Sequence, residues 1–270
     1  MRLLRRPRRR RRDSRGLTLD DRIASGGISL AAHLALPKRR NSVRPPAVVI
    51  CHGYPTTLAA ARAADTQSEL AERIATEMGW AALAFAFRGC GESTGQFSIA
   101  GWLDDVLAAV NFVDDEAHPS GIWVVGFGTG GAVAICGGAR DQRVRGVAAV
   151  GTPGDFDDWE SHPRRLLEHC RDVGLITDPA YPPSLDSWAR ELRSIRGVAC
   201  VRALAPRPLL VVHGSEDDFV PSFDARVLAD AHGSAELRFI HGAGHALRHD
   251  PRAVAVLLGW LDRQRHAVAR

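Results

Sequence analysis

Apolar and polar positions along this chain fall into short runs whose period alternates between that of strands and that of helices. Two strands are predicted over 17–36, the second alternating partly over 28–36 and ending at Pro37. A polar, proline-containing connection over 38–46 leads into the continuous apolar run Ala47-Val48-Val49-Ile50-Cys51. A run without alternation suits a strand buried on both faces of a parallel sheet. Helical spacing, rich in Ala and Glu, follows over 59–78, with Gly79 as its stop. Further strands are predicted over 80–87, 122–125, 144–150, 208–212 and 236–240, and further helices over 102–115, 132–139, 222–232 and 252–265.

Strands alternating with helices imply a mostly parallel sheet with helices on both faces. The rhythm breaks over 153–205, a stretch rich in Trp, Arg, His and Pro with two short helical patterns near 164–173 and 186–195. It is too long for an ordinary connection and reads as a short helical lid inserted over the C-terminal edge of the sheet. Residues 17–270 are therefore expected to form a single domain, preceded by a disordered arginine-rich tail over 1–16.

That tail changes the reading of charge. The formal net charge is +4, but residues 1–16 hold nine arginines and one aspartate, leaving 26 basic and 30 acidic residues in the body. The body carries no basic stripe of the kind nucleic acid requires, so no nucleic-acid partner is expected. No apolar run reaches the length of about 18 residues that spans a bilayer, and no signal-peptide core is present, so a cytoplasmic location is expected. Five scattered cysteines without metal-ligand spacing are expected to be unpaired thiols in a reducing compartment. There is no P-loop and no dinucleotide fingerprint, and no cofactor is implied.

The candidate chemistry lies at predicted strand ends. Gly126-Phe127-Gly128-Thr129-Gly130-Gly131 sits between a strand and a helix, the setting of a nucleophile elbow, G-x-S-x-G. Gly128 stands where the serine would be, and Thr129 is one position late. The other loops are His52-Gly53-Tyr54-Pro55, Arg88-Gly89-Cys90-Gly91-Glu92-Ser93, His213-Gly214-Ser215-Glu216-Asp217-Asp218-Phe219-Val220-Pro221 and His241-Gly242-Ala243-Gly244-His245.

With the elbow, these loops resemble the α/β-hydrolase superfamily, nearest to its serine-aminopeptidase-like and dienelactone-hydrolase-like esterase branches. The likeness covers about 20–265, and the order elbow, acid, histidine is the family's. The resemblance places the acid on Asp217, with Asp218 its neighbour, and the histidine on His245. It places an oxyanion hole on the backbone N–H groups of Tyr54 and Thr129. Only the nucleophile departs from the pattern. Cys90 as a displaced thiol has no second motif behind it, and Ser93 suits a turn or cap. His213 and His241 read as structural strand-end residues, His249 as surface, and His162 and His169 as residues of a solvated helix face. Trp102, Trp159 and Trp188 suit either a pocket lining or packing.

Two functions follow as expectations. One is an enzyme acting on a small acyl or carbonyl compound through a His–Asp dyad and an oxyanion hole, without a serine. The other is a non-catalytic pseudo-hydrolase that binds a ligand or protein partner.

Overall fold

The computed structural model describes residues 17–38, 44–62 and 67–268. The arginine-rich stretch 1–16 and the expectation attached to it lie outside the described residues.

Strands β1 (Leu17–Ser25) and β2 (Ile28–Leu36) form an antiparallel hairpin in which Ser25 faces Ile28. The turn residues Gly26 and Gly27 take φ of 53° and 84°, a two-residue turn that needs positive φ at both positions. Strand β2 then pairs antiparallel with β4 (Ala81–Phe85). From there the sheet is parallel through β3 (Ala47–Cys51), β5 (Ile122–Phe127), β6 (Val144–Val150), β7 (Leu209–Gly214) and β8 (Glu236–Ile240). The eight strands run in the order β1-β2-β4-β3-β5-β6-β7-β8. Every residue of β3, β4, β5 and β7 is buried, as their unalternated apolar runs require.

Helices cover both faces. On one face Val49, Leu83 and Val124 pack with α3 (Ile99–Ala117), α4 (Thr129–Arg140) and α9 (Ser222–His232). On the other, Val48, Ile50 and Val125 pack with α2 (Ser68–Arg73) and α10 (Pro251–Val268) through Ala71, Leu257 and Trp260. The helical pattern over 59–78 is not one helix. It comprises α1 (Leu58–Arg62), then α2, which widens into a π turn over Ile74–Met78. Gly79 closes that turn in the left-handed conformation, at φ 71°.

Between β6 and β7 the chain forms α5 (Asp157–Ser161), α6 (Pro163–Asp172), α7 (Leu185–Leu192) and α8 (Gly197–Leu204). Among the contacts that seat this insertion on the loop before α3, two come from α7. The Trp188 indole N–H donates to the Phe97 carbonyl at 3.1 Å, and the Ser98 hydroxyl donates to Glu191 at 2.5 Å.

The expectation for the cysteines is corrected. Cys136 of α4 and Cys200 of α8 form a disulfide, and only Cys51, Cys90 and Cys170 are free and buried. The 64-residue separation hid a pairing that the packing of α8 on α4 creates. Among the described residues no helix is long and apolar enough to cross a membrane.

Candidate active site

The sharp turn after β5 is built from glycines that each meet a different constraint. A Cβ on Gly126 would lie 2.5 Å from Gly131 Cα, and one on Gly130 would lie 2.8 Å from the Cys51 carbonyl oxygen. Neither position can hold a side chain without moving backbone. Gly128 adopts φ 52° and ψ −127° at the head of α4, and its N–H donates to the Val150 carbonyl at 2.8 Å. The nearest atoms to a Cβ there would be His245 Nε2 at 3.6 Å and Gly53 Cα at 3.7 Å, ordinary van der Waals distances. Of these three glycines, Gly128 alone has room for a side chain, and that room borders the imidazole.

Asp217 and His245 converge from the loops after β7 and β8. The Asp217 side chain is fully buried. Its Oδ1 accepts the backbone N–H groups of Phe219 and Val220 at 3.0 and 2.9 Å, so the loop itself aims the carboxylate. His245 Nδ1 lies 2.9 Å from Asp217 Oδ2 and 3.2 Å from Oδ1. Only an Nδ1–H can satisfy those acceptors, which leaves the Nε2 lone pair facing the space beside Gly128. His213 sits behind the acid. It is fully buried, lies 3.0 Å from the Val220 carbonyl through Nε2, and is 3.5 Å from Asp217 Oδ2.

The two N–H groups expected to form the oxyanion hole belong to different elements. Thr129 opens α4, and the first N–H groups of a helix have no intrahelical acceptor. Tyr54 follows β3, and among the described residues no backbone carbonyl takes its N–H. His52 fixes the peptide that carries that N–H. Its Nδ1–H donates to the Gly53 carbonyl at 2.7 Å, and its Nε2 accepts the Phe87 N–H at 3.1 Å. The Gly53 C=O and the Tyr54 N–H share one rigid peptide plane, so holding one orients the other. Burial against Phe87 and Trp102 pushes the His52 imidazole down to about 4, which keeps it neutral.

The Tyr54 side chain turns away from proton chemistry. Its hydroxyl lies 3.2 Å from Cys170 Sγ, and burial pushes the phenol up. Its ring meets Trp159 at 5.0 Å, Phe97 at 5.5 Å and His169 at 5.8 Å. His169 therefore packs on Tyr54 and is half-buried, whereas a solvated helix face was expected. Trp102 and Trp188 are buried packing residues, and His162, His241 and His249 are exposed. Cys90 is buried and its thiol is pushed up by that burial, so it offers no thiolate. Ser93 is a turn residue: its hydroxyl donates to the Ala86 carbonyl at 2.6 Å and accepts the Ala31 N–H at 2.9 Å. Asp218 is exposed beside the buried Asp217. No cluster of three or more His, Cys, Asp or Glu among the described residues could hold a metal ion.

Phe219 and the positioning role of His52 escaped the sequence reading. Phe219 stands next to Val220 and Pro221, so no contrast in polarity marked it in the sequence.

The model of the alpha/beta hydrolase family matches residues 48–257, from the first parallel strand into α10. The chain belongs to the alpha/beta hydrolase family. Among the chain's relatives, the uncharacterized protein YfhR of Salmonella typhi is 29% identical over 53% of the chain and 47% of its own length. The chain thus spans about half the length of that relative. The uncharacterized protein PA2218 of Pseudomonas aeruginosa is 25% identical over 83% of the chain and 73% of its own length. In structure, the hydrolase fold is similar to Est1E of Butyrivibrio proteoclasticus bound to ferulic acid. That likeness has a TM-score of 0.69 at 21% identity, over 92% of this chain and 99% of Est1E.

Proposed function

We propose that this protein cleaves a small ester, or acts on a related carbonyl compound, with His245 as general base and without a covalent intermediate. The observation that carries the reading is the aim of the His245 Nε2 lone pair. It lies 3.6 Å from where a side chain at 128 would begin, and Gly53 Cα lies 3.7 Å from the same point. A water molecule in that space gives one proton to Nε2 while its oxygen bonds to the carbonyl carbon. The carbonyl oxygen takes the negative charge and is held by the N–H groups of Tyr54 and Thr129. Collapse of the tetrahedral adduct breaks the bond to the leaving oxygen, which takes the proton back from Nε2. Asp217 stays ionised and keeps the ring in the productive tautomer. General-base assistance of this kind contributes about 10²–10⁴-fold. Est1E, seen with ferulic acid bound, supports an acyl ligand of small size.

Gly128 favours a second reading, a binder that retains the site and has given up turnover. One assay separates the two. Activated short- and medium-chain esters are offered to the chain as it is, to His245→Ala, to Gly128→Ser and to the double variant. Base catalysis predicts turnover by the unaltered chain that falls about 10²–10⁴-fold in His245→Ala. An inactive chain with His245-dependent activity only in Gly128→Ser selects the binder. Inactivity of all four removes the assignment of the site.

A further inference from the structure

Phe219 lies beside the base and is open to solvent. The residue is 73% exposed, and its ring centroid is 5.4 Å from that of His245. Phe223, near the start of α9, is 68% exposed, and Leu58 at 41% is the remaining large apolar residue left open among the described residues. Two of the three therefore stand in the short stretch after the acid. The backbone under Phe219 is fixed, since its N–H donates to Asp217 Oδ1 and Val220 next to it is buried. The same carboxylate thus holds the base and the ring in register. An aromatic ring kept exposed on a rigid loop gains by being covered.

The reaction geometry says which part of a substrate would cover it. His245 must hand its proton to the leaving oxygen, so the leaving group lies on the imidazole side of the carbonyl. On the Gly53 side, Tyr54 is already packed against Trp159, Phe97 and His169. Resting on the function proposed above, we infer that Phe219 is a specificity-determining residue that takes an apolar leaving group. The substrate class is then a small ester whose alcohol part, rather than only its acyl part, is aromatic or a medium-length alkyl chain.

Two isomeric amides test this without requiring turnover. N-benzylacetamide carries its ring on the leaving-group side of the carbonyl, and N-methyl phenylacetamide carries it on the acyl side. Their dissociation constants are measured by titration calorimetry on the unaltered chain, Phe219→Ala and Phe219→Leu. Phe219→Ala is expected to weaken N-benzylacetamide roughly tenfold and its isomer by less than about twofold, with Phe219→Leu recovering most of the loss. Equal loss for both isomers, or no loss for either, overturns the role of Phe219 and leaves the site standing. If neither amide binds the unaltered chain, the site itself is wrongly assigned and the inference fails with it. Because the Phe219 ring is exposed, an unchanged melting temperature in Phe219→Ala is expected and shows that the variant is folded.

Discussion

His52 couples the protonation of one buried side chain to the shape of the candidate oxyanion hole. Its ring bridges the loops after β3 and β4, and both nitrogens are used by the backbone as donor and acceptor. Burial lowers its pKa from 6.5 to about 4. Between those values the unfolded chain binds a proton that the folded chain refuses. Stability is therefore complete above about pH 6.5 and falls as pH drops towards 4, by about 3 kcal/mol in total. Urea unfolding near neutral pH and at about pH 4.5 measures the drop, and His52→Gln is expected to flatten it by about 2–3 kcal/mol. Equal pH dependence in the two proteins would mean that His52 is not held neutral. The motif His52-Gly53-Tyr54 marked this loop in the sequence, but the bond that fixes the His52 tautomer, from the Phe87 N–H, comes from a segment 35 residues away. Asp217 and His245 were legible because short motifs at strand ends fix their order. Phe219 was not, since exposure is a property of neighbours rather than of residue type.

At the scale of elements, β3, β5 and β7 were legible because strands buried on both faces leave apolar runs between turn residues. Helices α5 and α8 left no such mark. Helix α5 is only five residues long and has no buried residue. Helix α8 begins at Gly197, a poor helix former, and has no side-chain cap. That glycine is required by tertiary packing: a Cβ on it would lie 3.1 Å from Leu228 of α9 and run into the Gly154 carbonyl. The disulfide is the counterpart of that packing, tying the helix that follows Gly128 to the last helix of the insertion. Closing a loop of 64 residues restricts the unfolded chain, so the bond is expected to stabilise by about 2–4 kcal/mol. Thermal unfolding with and without reductant reads this directly. The Cys136→Ala, Cys200→Ala double variant should match the reduced protein and show no further response to reductant. A melting temperature indifferent to reductant in the unaltered chain would show that the two thiols pack without bonding.

The whole molecule depends on one ionic joint that no local pattern announces. Asp105 of α3 is fully buried. It accepts from the Ser25 hydroxyl at 2.7 Å, the Arg88 backbone N–H at 3.0 Å and the Arg88 guanidinium at 2.7 and 3.1 Å. Three segments far apart in sequence meet there: the end of the N-terminal hairpin, the loop after β4, and α3. The Arg88 carbonyl also accepts the Trp102 indole N–H at 3.2 Å, and Trp102 stacks on Phe87 at 4.2 Å and meets His52 at 5.6 Å. The joint therefore lies directly beneath the loop that carries Tyr54. Gly101 belongs to it too, because a Cβ there would sit 2.5 Å from the guanidinium. Removing one member of a buried pair strands the other charge, so Asp105→Ala is expected to cost about 3–5 kcal/mol in urea unfolding. Replacing both charges by apolar groups, as in Asp105→Leu with Arg88→Met, should cost less than Asp105→Ala alone, since no bare charge remains in the interior. If the double variant proves worse than the single, the joint acts through its hydrogen bonds to Ser25 and the Arg88 backbone rather than through charge.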